Sequence, residues 1–438
     1  MPGKATLMPT LISGKAVPFL RRQWFGISLF ILFLALSVQY TFKALDDRSA
    51  ILRWRTQILQ LGTTDIYERY TYPNPPIMPL LLTPVAELPP VVAALAWFFL
   101  KLGMAFVGLW WCFRLVEVPG KPLPQWGKAA VIALSLKPVM GDLSHGNVNL
   151  FILFLVIGGL YAFRNRLDFA AGLAIALAIA CKVTPALFVP YFLWKRAWRA
   201  LAGCAAGLVL FLFLVPGLFL GMERNVTLLA SWYGYMVQPF VGQGIVTTEH
   251  INQSLPGLVY RWASHSPSTY DKQGRPLEYV NLWDLDPRIL SGLLKVFMAG
   301  FAAAIVWTCR TPTNPRVSWR LAAEYSLVIL GMLLFSERTW KHHCVTLMLP
   351  FTVLVYYYAI CDPGTALRRY LVATVVGVEV LMGLTMGGVG GRWSQFAKTA
   401  EAAGAYVWAF LALTVALVVL LRHRDAVAAT SLDIRKAA

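Results

Sequence analysis

Apolar stretches long enough to cross a bilayer recur from residue 23 to residue 421, and no other property of this 438-residue chain narrows its fold so far. A helix needs roughly 20 residues to cross about 30 Å of hydrocarbon. About twelve segments meet or approach that length: 23–42, 91–114, 127–141, 147–163, 168–183, 185–196, 200–221, 290–309, 321–338, 343–361, 369–388 and 404–421. Composition agrees, since 58% of residues are hydrophobic and only 14% charged, unlike a soluble chain of the same length. The expected fold is all-α and polytopic: a single membrane domain over 1–438, with outer loops 43–90 and 222–289 and tails 1–22 and 422–438. The pair 168–183 and 185–196 can also be read as one span broken at Lys182, Thr184 and Pro185, which would reverse the sidedness of everything after it.

Charge decides that sidedness. With the N-terminus inside and twelve spans, the cytoplasmic pieces collect Arg21 and Arg22, Arg114 and Lys121, Arg164 and Arg166, Lys195 and Arg199, Arg310 and Arg316, Arg368 and Arg369, and Arg422. Few acids accompany them. This is the positive-inside pattern, so the formal charge of +18 reports topology rather than a nucleic-acid footprint. The expectation is a multi-pass protein of the cell (inner) membrane with cytoplasmic termini and its site on the periplasmic or extracellular side. The first apolar run ends in "QYTFKALDD" without a small-residue cleavage site, so it reads as a retained span rather than a signal peptide. The six cysteines lie mostly in or beside spans without CxxC spacing, which indicates neither a disulfide framework nor a zinc site.

The costly polar stretches then fall on one face: "KALDDRSAILRWRTQ", "GDLSHGNVN", "CKVTP", the loop 222–289 and "SERTWKHH". Ionisable groups near membrane depth mark functional sites by default. In the first outer loop, Trp54, Ile58 and Leu61 recur at helical spacing, as in a helix lying on the interface and ending at Gly62. Pro73, Pro75 and Pro76 force an extended turn, and "IMPLLLTPVAEL" reads as re-entrant or interfacial.

Each candidate has a plain structural alternative. Asp46 and Asp47 can be solvated juxtamembrane acids, 141–149 can be a tight turn with His145 facing solvent, and Lys101 and Lys295 suit snorkelling or a helix–helix contact. The sequons at Asn225 and Asn252 are short enough to arise by chance. The run Glu337, Arg338, Lys341, His342 and His343 resists such a reading, because a turn needs no adjacent histidines beside three further charges. No GxSxG elbow is present. Adjacent imidazoles diverge by about 100° on a helix and do not make an HExxH-type metal site. A carboxylate near the surface with basic groups beside it suits transfer from a lipid phosphate: the carboxylate deprotonates an acceptor hydroxyl while cations neutralise the departing phosphate. Neither GxGxxG nor a Walker motif is present for a nucleotide.

The ordered set "DIYERYTYPNPPIMPLLLTPVAELP", "GDLSHGNVNLFILFLVIGGLYAFRNRLDFAAGLAIALAIACKVTPALFVPYFLWKRAWR", "HINQSLPGLVYRW" and "SERTWKHHCVTLMLP" resembles the family-87 glycosyltransferases over roughly residues 25–360. Its most specific parts are Gly146 and Asn149 followed by Lys182, Thr184 and Pro185; Asn252, Gln253 and Ser254; and the block of Trp340, His342 and His343. The resemblance implies a GT-C-type fold and inverting transfer of a hexose, mannose above all. The donor is a polyprenyl phosphate and the acceptor a lipid or glycan at the outer face, with no cofactor, no metal and no nucleic acid. It places the catalytic base at Asp46 or Asp47, with Asp47 favoured. Donor phosphate and sugar would meet Trp340, His342 and His343, with Arg338, Lys341 and Lys182 as cations. His145, Asn149, Asn252, Gln253 and Ser254 would line the cavity. The chain departs from the family pattern at 144–149 and at Ser336-Glu337-Arg338. A secondary transporter, expected to show internal repeats, and a lipid-linked-sugar polymerase or ligase are the alternatives.

Overall fold

Hydrocarbon offers no hydrogen-bond partners, so a chain patterned in this way must satisfy its backbone within helices. The computed structural model describes residues 16–46, 49–271, 273–361, 363–387 and 391–423. Each of the twelve apolar segments lies on helical structure. Among the described residues, six helices are long and apolar enough to cross a membrane: Gly26–Leu45, Pro90–Val116, Trp198–Leu220, Pro287–Thr308, Lys341–Ile360 and Ala405–Arg422. The molecule is a mostly helical, polytopic membrane protein.

Helix α1 (Ala16–Leu45) leads into three short helices, α2 (Ala50–Leu59), α3 (Ile66–Tyr70) and α4 (Ile77–Ala86). Asp65 caps α3 by accepting from the N–H groups of Tyr67 and Glu68 at 2.9 and 3.2 Å. With 10 residues, α4 reaches only about 15 Å and cannot cross. A bundle follows: α5 (Pro90–Val116), α6 (Gln125–His145), α7 (Asn149–Arg164), α8 (Asp168–Cys181), α9 (Phe188–Trp194), α10 (Trp198–Val209) and α11 (Val215–Leu220). The second long connection holds α12 (Met222–Trp232), α13 (Gln238–Val241), α14 (Leu255–Ala263) and an antiparallel hairpin of β1 (Pro267–Tyr270) and β2 (Pro276–Tyr279). The chain closes with α15 (Pro287–Thr308), α16 (Trp319–Leu334), α17 (Met348–Ile360), α18 (Thr365–Leu384), α19 (Arg392–Ala402) and α20 (Ala405–Arg422).

The centre of the bundle is α16, buried from Leu321 to Leu334, with α17 and α20 against it. Peripheral helices keep their apolar side chains outward: Phe30, Leu34 and Phe42 of α1 and Leu293, Val296 and Trp307 of α15 are exposed, a surface suited to acyl chains. Helices α8 and α10 approach closely. A Cβ at Gly172 would collide with the carbonyl oxygen of Ala200, and one at Gly203 with that of Phe169. Glycine at both positions permits this backbone contact, the small-residue packing typical of helices in lipid.

Contacts between connections sort into two ends. At one, Lys195 pairs with Glu324 at 2.7 Å and donates to the carbonyls of Cys309 and Thr311 at 3.0 and 2.8 Å. Arg316 there holds Asp168, with its Nη2 donating to Oδ2 at 3.0 Å, and it also donates to the Phe163 carbonyl at 2.8 Å. The Tyr357 hydroxyl meets His423 at 2.9 Å at the same end. Because Asp168 and Lys195 dock on the same connection, α8 runs away from it and α9 returns. The chain therefore reverses at Lys182, whose extended backbone (φ −160°, ψ 122°) ends α8 before Thr184–Leu187 forms a 3-10 turn. The returning α9 has 7 residues, about 10 Å, shorter than the sequence pattern suggested.

Candidate active site

At the other end, α6 stops at Gly146, whose φ of 73° belongs to the left-handed region. Trp97 Nε1 donates to the Gly146 carbonyl at 2.9 Å. The tail of α1 is fastened to the same turn: Lys43 Nζ donates to the Ser144 carbonyl at 2.5 Å, and the hydroxyls of Tyr40 and Ser49 lie 2.6 Å apart. A Cβ on Gly146 would meet Ser49 Oγ at 2.5 Å and the Tyr40 hydroxyl at 3.1 Å. Asp46 sits exposed where α1 ends. Asp47 lies outside the described residues, between this anchored tail and Ser49.

Beneath the turn lies a buried polar chain. Lys101 and Asp142 are both fully buried and pair at 3.2 Å; Lys101 also donates to the Asp142 carbonyl at 2.8 Å. Asp142 accepts from Asn149 Nδ2 at 3.0 Å and from the Leu150 N–H at 3.4 Å, so its carboxylate sits at the positive end of α7. Asn149 then accepts from Lys182 Nζ at 2.7 Å. Lys182, Asn149, Thr184, Ser336, His343 and Thr346 line one cleft of about 20 Å³, room for a water molecule but too narrow for a hexose without movement of its walls.

The chain 335–347 closes this cleft. The Trp340 N–H donates to His343 Nδ1 at 3.3 Å, which caps the 3-10 segment Lys341–Leu347. His342 stacks on His145 with ring centroids 5.7 Å apart, and neither of its ring nitrogens hydrogen-bonds to a described residue. Trp340 touches both rings, with centroids 5.4 Å from His342 and 6.0 Å from His343. Lys182, Asn149, His145, Trp340, His342 and His343 therefore come together.

The other expected residues stand apart from the cleft. Arg338, 49% exposed, pairs with Glu337 at 2.7 Å, and burial raises the Glu337 carboxyl above its usual range against the pull of Arg338. Lys341 pairs with Glu401 and donates to the Thr385 carbonyl at 2.5 Å. Asn252 spends its amide on the carbonyls of Thr247 and Glu337 and the N–H groups of Ser254 and Thr339. Gln253 bridges the carbonyls of His250 and Glu401 to the Tyr406 N–H. Ser254 caps α14. These three are fully buried and bolt the second long connection to 335–340 and α19.

Sequence reasoning passed over Asp142, Glu401 and Arg261. Arg261 is fully buried and donates to carbonyls of Thr248, Glu249 and Ala402 at 3.1, 2.8 and 2.9 Å. Burial pushes its guanidinium down to about 10 against the pull of Glu401. Asp142 carried a local signal, an acid inside an apolar helix. The other two did not: Ala402 lies 141 positions beyond Arg261, and Gln253 reaches the Glu401 carbonyl across 148 positions.

One end of this helical membrane bundle thus gathers Lys182, the stacked rings of His145 and His342, and Trp340 around a single cleft. The sequence profile of glycosyltransferase family 87 matches residues 70–336, more than half of the chain. The chain belongs to that family. The matched stretch ends before Trp340 and begins after Asp46. Polyprenol-phosphate-mannose-dependent alpha-(1-2)-phosphatidylinositol mannoside mannosyltransferase of Mycobacterium tuberculosis (strain ATCC 25618 / H37Rv) is 32% identical over 143 residues, 30% of this chain and 33% of that protein. The protein of the same name from Mycolicibacterium smegmatis (strain ATCC 700084 / mc(2)155) is 25% identical over 309 residues, 67% of this chain and 61% of that protein. The chain thus spans a third to three fifths of the curated relatives it matches. No solved structure matches it.

Proposed function

We propose that the protein transfers a hexose, mannose, from a polyprenyl-phosphate donor to a hydroxyl of a lipid or glycan acceptor at the outer face of the membrane. The carrying observation is the convergence of Lys182, His342, His343 and His145 on the end of the molecule where the α1 tail is fastened. A carboxylate of that tail, Asp47 or Asp46, takes the proton as the acceptor oxygen bonds to the anomeric carbon. The bond from that carbon to the phosphate oxygen breaks, and configuration inverts in this single displacement. Polyprenyl phosphate departs with the electron pair, its charge met by Lys182 and His342. Donor entry parts the walls of the narrow cleft, moving 335–340 away from the end of α8. The two-ended distribution of contacts supports placing the basic end in the cytoplasm and the cleft on the periplasmic side.

The test is transfer in membranes carrying the protein, supplied with polyprenyl-phosphate mannose or glucose and extracted lipid acceptors. Asp47→Asn, or failing that Asp46→Asn, is expected to lose about 10² to 10⁴ in rate with donor binding kept. Full turnover in both single variants would place the base elsewhere.

A further inference from the structure

A second cleft lies at the end opposite the candidate active site and is far roomier, about 450 Å³. Its walls are the last turn of α5, the turn 117–122, the end of α7 and the segment before α16, contributing Arg114, Glu117, Gly120, Arg164 and Val317. Two guanidinium groups face a single carboxylate, and that carboxylate is already engaged. Glu117 accepts from the Leu123 N–H at 3.1 Å and lies 3.8 Å from Lys128 Nζ and 3.6 Å from Arg114. Arg164 Nη2 is held by the Glu117 carbonyl at 2.9 Å. Its Nε is buried and finds no acceptor among the described residues. Arg114 remains 51% exposed. With Lys128 at the rim, the cleft has an excess of positive charge and an unspent buried donor.

Arg114 also terminates an apolar stripe. Phe99, Phe106 and Trp110 are exposed on α5 at separations that keep them on one face. A ligand lying along that stripe would bring its polar end to Arg114. We propose that this cleft binds the phosphate headgroup of an anionic phospholipid, with an acyl chain along Phe99, Phe106 and Trp110. Paired arginines suit phosphate oxygens, and basic pockets between membrane helices recognise such headgroups. This site is independent of the transfer reaction and rests only on the chain spanning a membrane.

The test uses the full chain purified in neutral detergent and native mass spectrometry to count retained lipids. Mixed micelles supply phosphatidylglycerol and phosphatidylcholine at equal concentration, with inorganic phosphate added in a separate arm. Wild type is expected to retain phosphatidylglycerol preferentially. Arg114→Gln and Arg164→Gln each weaken that retention roughly tenfold, the loss of one charge-assisted bond. Arg166→Gln, an exposed neighbour that donates to Asn314, leaves it unchanged. If Arg164→Gln does not fold, the half-exposed Arg114 variant carries the test alone. Equal retention of both lipids, unchanged retention in the Arg114 variant, or displacement of phosphatidylglycerol by millimolar phosphate would each overturn the proposal.

Discussion

Replacing Lys101 with methionine keeps the length and most of the volume of the side chain but removes the only cation paired with Asp142 among the described residues. Both partners are fully buried, 3.2 Å apart, so water cannot take over the role of the ammonium. Breaking a pair of this kind costs about 3–5 kcal/mol, because the remaining charge stays buried and uncompensated. Lys101→Met also leaves the Asp142 carbonyl without the donor now 2.8 Å away. Asp142→Asn strands Lys101 in the same manner. Combining the two substitutions removes both charges, while the new carboxamide keeps an oxygen for the Asn149 amide. The double variant should therefore lie within about 2 kcal/mol of wild type, more stable than either single one. Thermal inactivation of detergent-solubilised protein reads this out. A loss of about 3 kcal/mol that falls wholly on the unfolding rate shortens the half-life about a hundredfold. Single variants as long-lived as wild type, or a double variant worse than both, would refute the role assigned to the pair.

Three further outcomes are expected. Gly146→Ala combines a left-handed backbone, costing about 1–2 kcal/mol, with the clash against Ser49; thermal inactivation and transfer should both worsen, and unchanged kinetics would show that the α1 tail needs no anchorage at this turn. His342→Gln should weaken donor binding and turnover, measured by donor titration, because its ring nitrogens are uncommitted, whereas His343→Gln should chiefly shorten thermal half-life through the lost cap, worth about 1 kcal/mol; identical effects in both would contradict this division. Cysteines at Thr63 and Gln273 should react with an impermeant thiol reagent in intact cells and one at Gln125 should not. The background would be Cys361→Ser, since the other native cysteines are buried.

The helices were legible because lipid leaves a chain little choice: each apolar segment announces itself without reference to the others. Leu123 shows the limit of that reading, since it lies in a polar-looking connection and yet is buried. The pairing of His145 with His342 joins residues far apart in the chain, and only the fold creates it. Lys101 fitted a helix–helix contact, but its partner Asp142 could not be named from spacing. Lys341 stood out as a free cation in the sequence because distant Glu401 does not declare its pairing before the chain packs, whereas Arg338 has its partner Glu337 beside it in the chain. The reversal at Lys182 rested on charge counting, and the shared docking of Asp168 and Lys195 supplies the independent geometric reason.

The close seam between α8 and α10 changes how a mutational scan of this protein should be interpreted. Helix α8 ends at Cys181, one residue before Lys182, so the spacing set by Gly172 and Gly203 fixes the height at which that lysine enters the cleft. A methyl group at either glycine would overlap a backbone oxygen and can be relieved only by sliding or tilting α8. Alanine at these positions would then register as loss of activity with protein levels intact, mimicking a catalytic defect. On the proposed role of Lys182, hits mapping to this seam would mark the ruler that positions the chemistry, and compensating substitutions are to be sought on the facing helix.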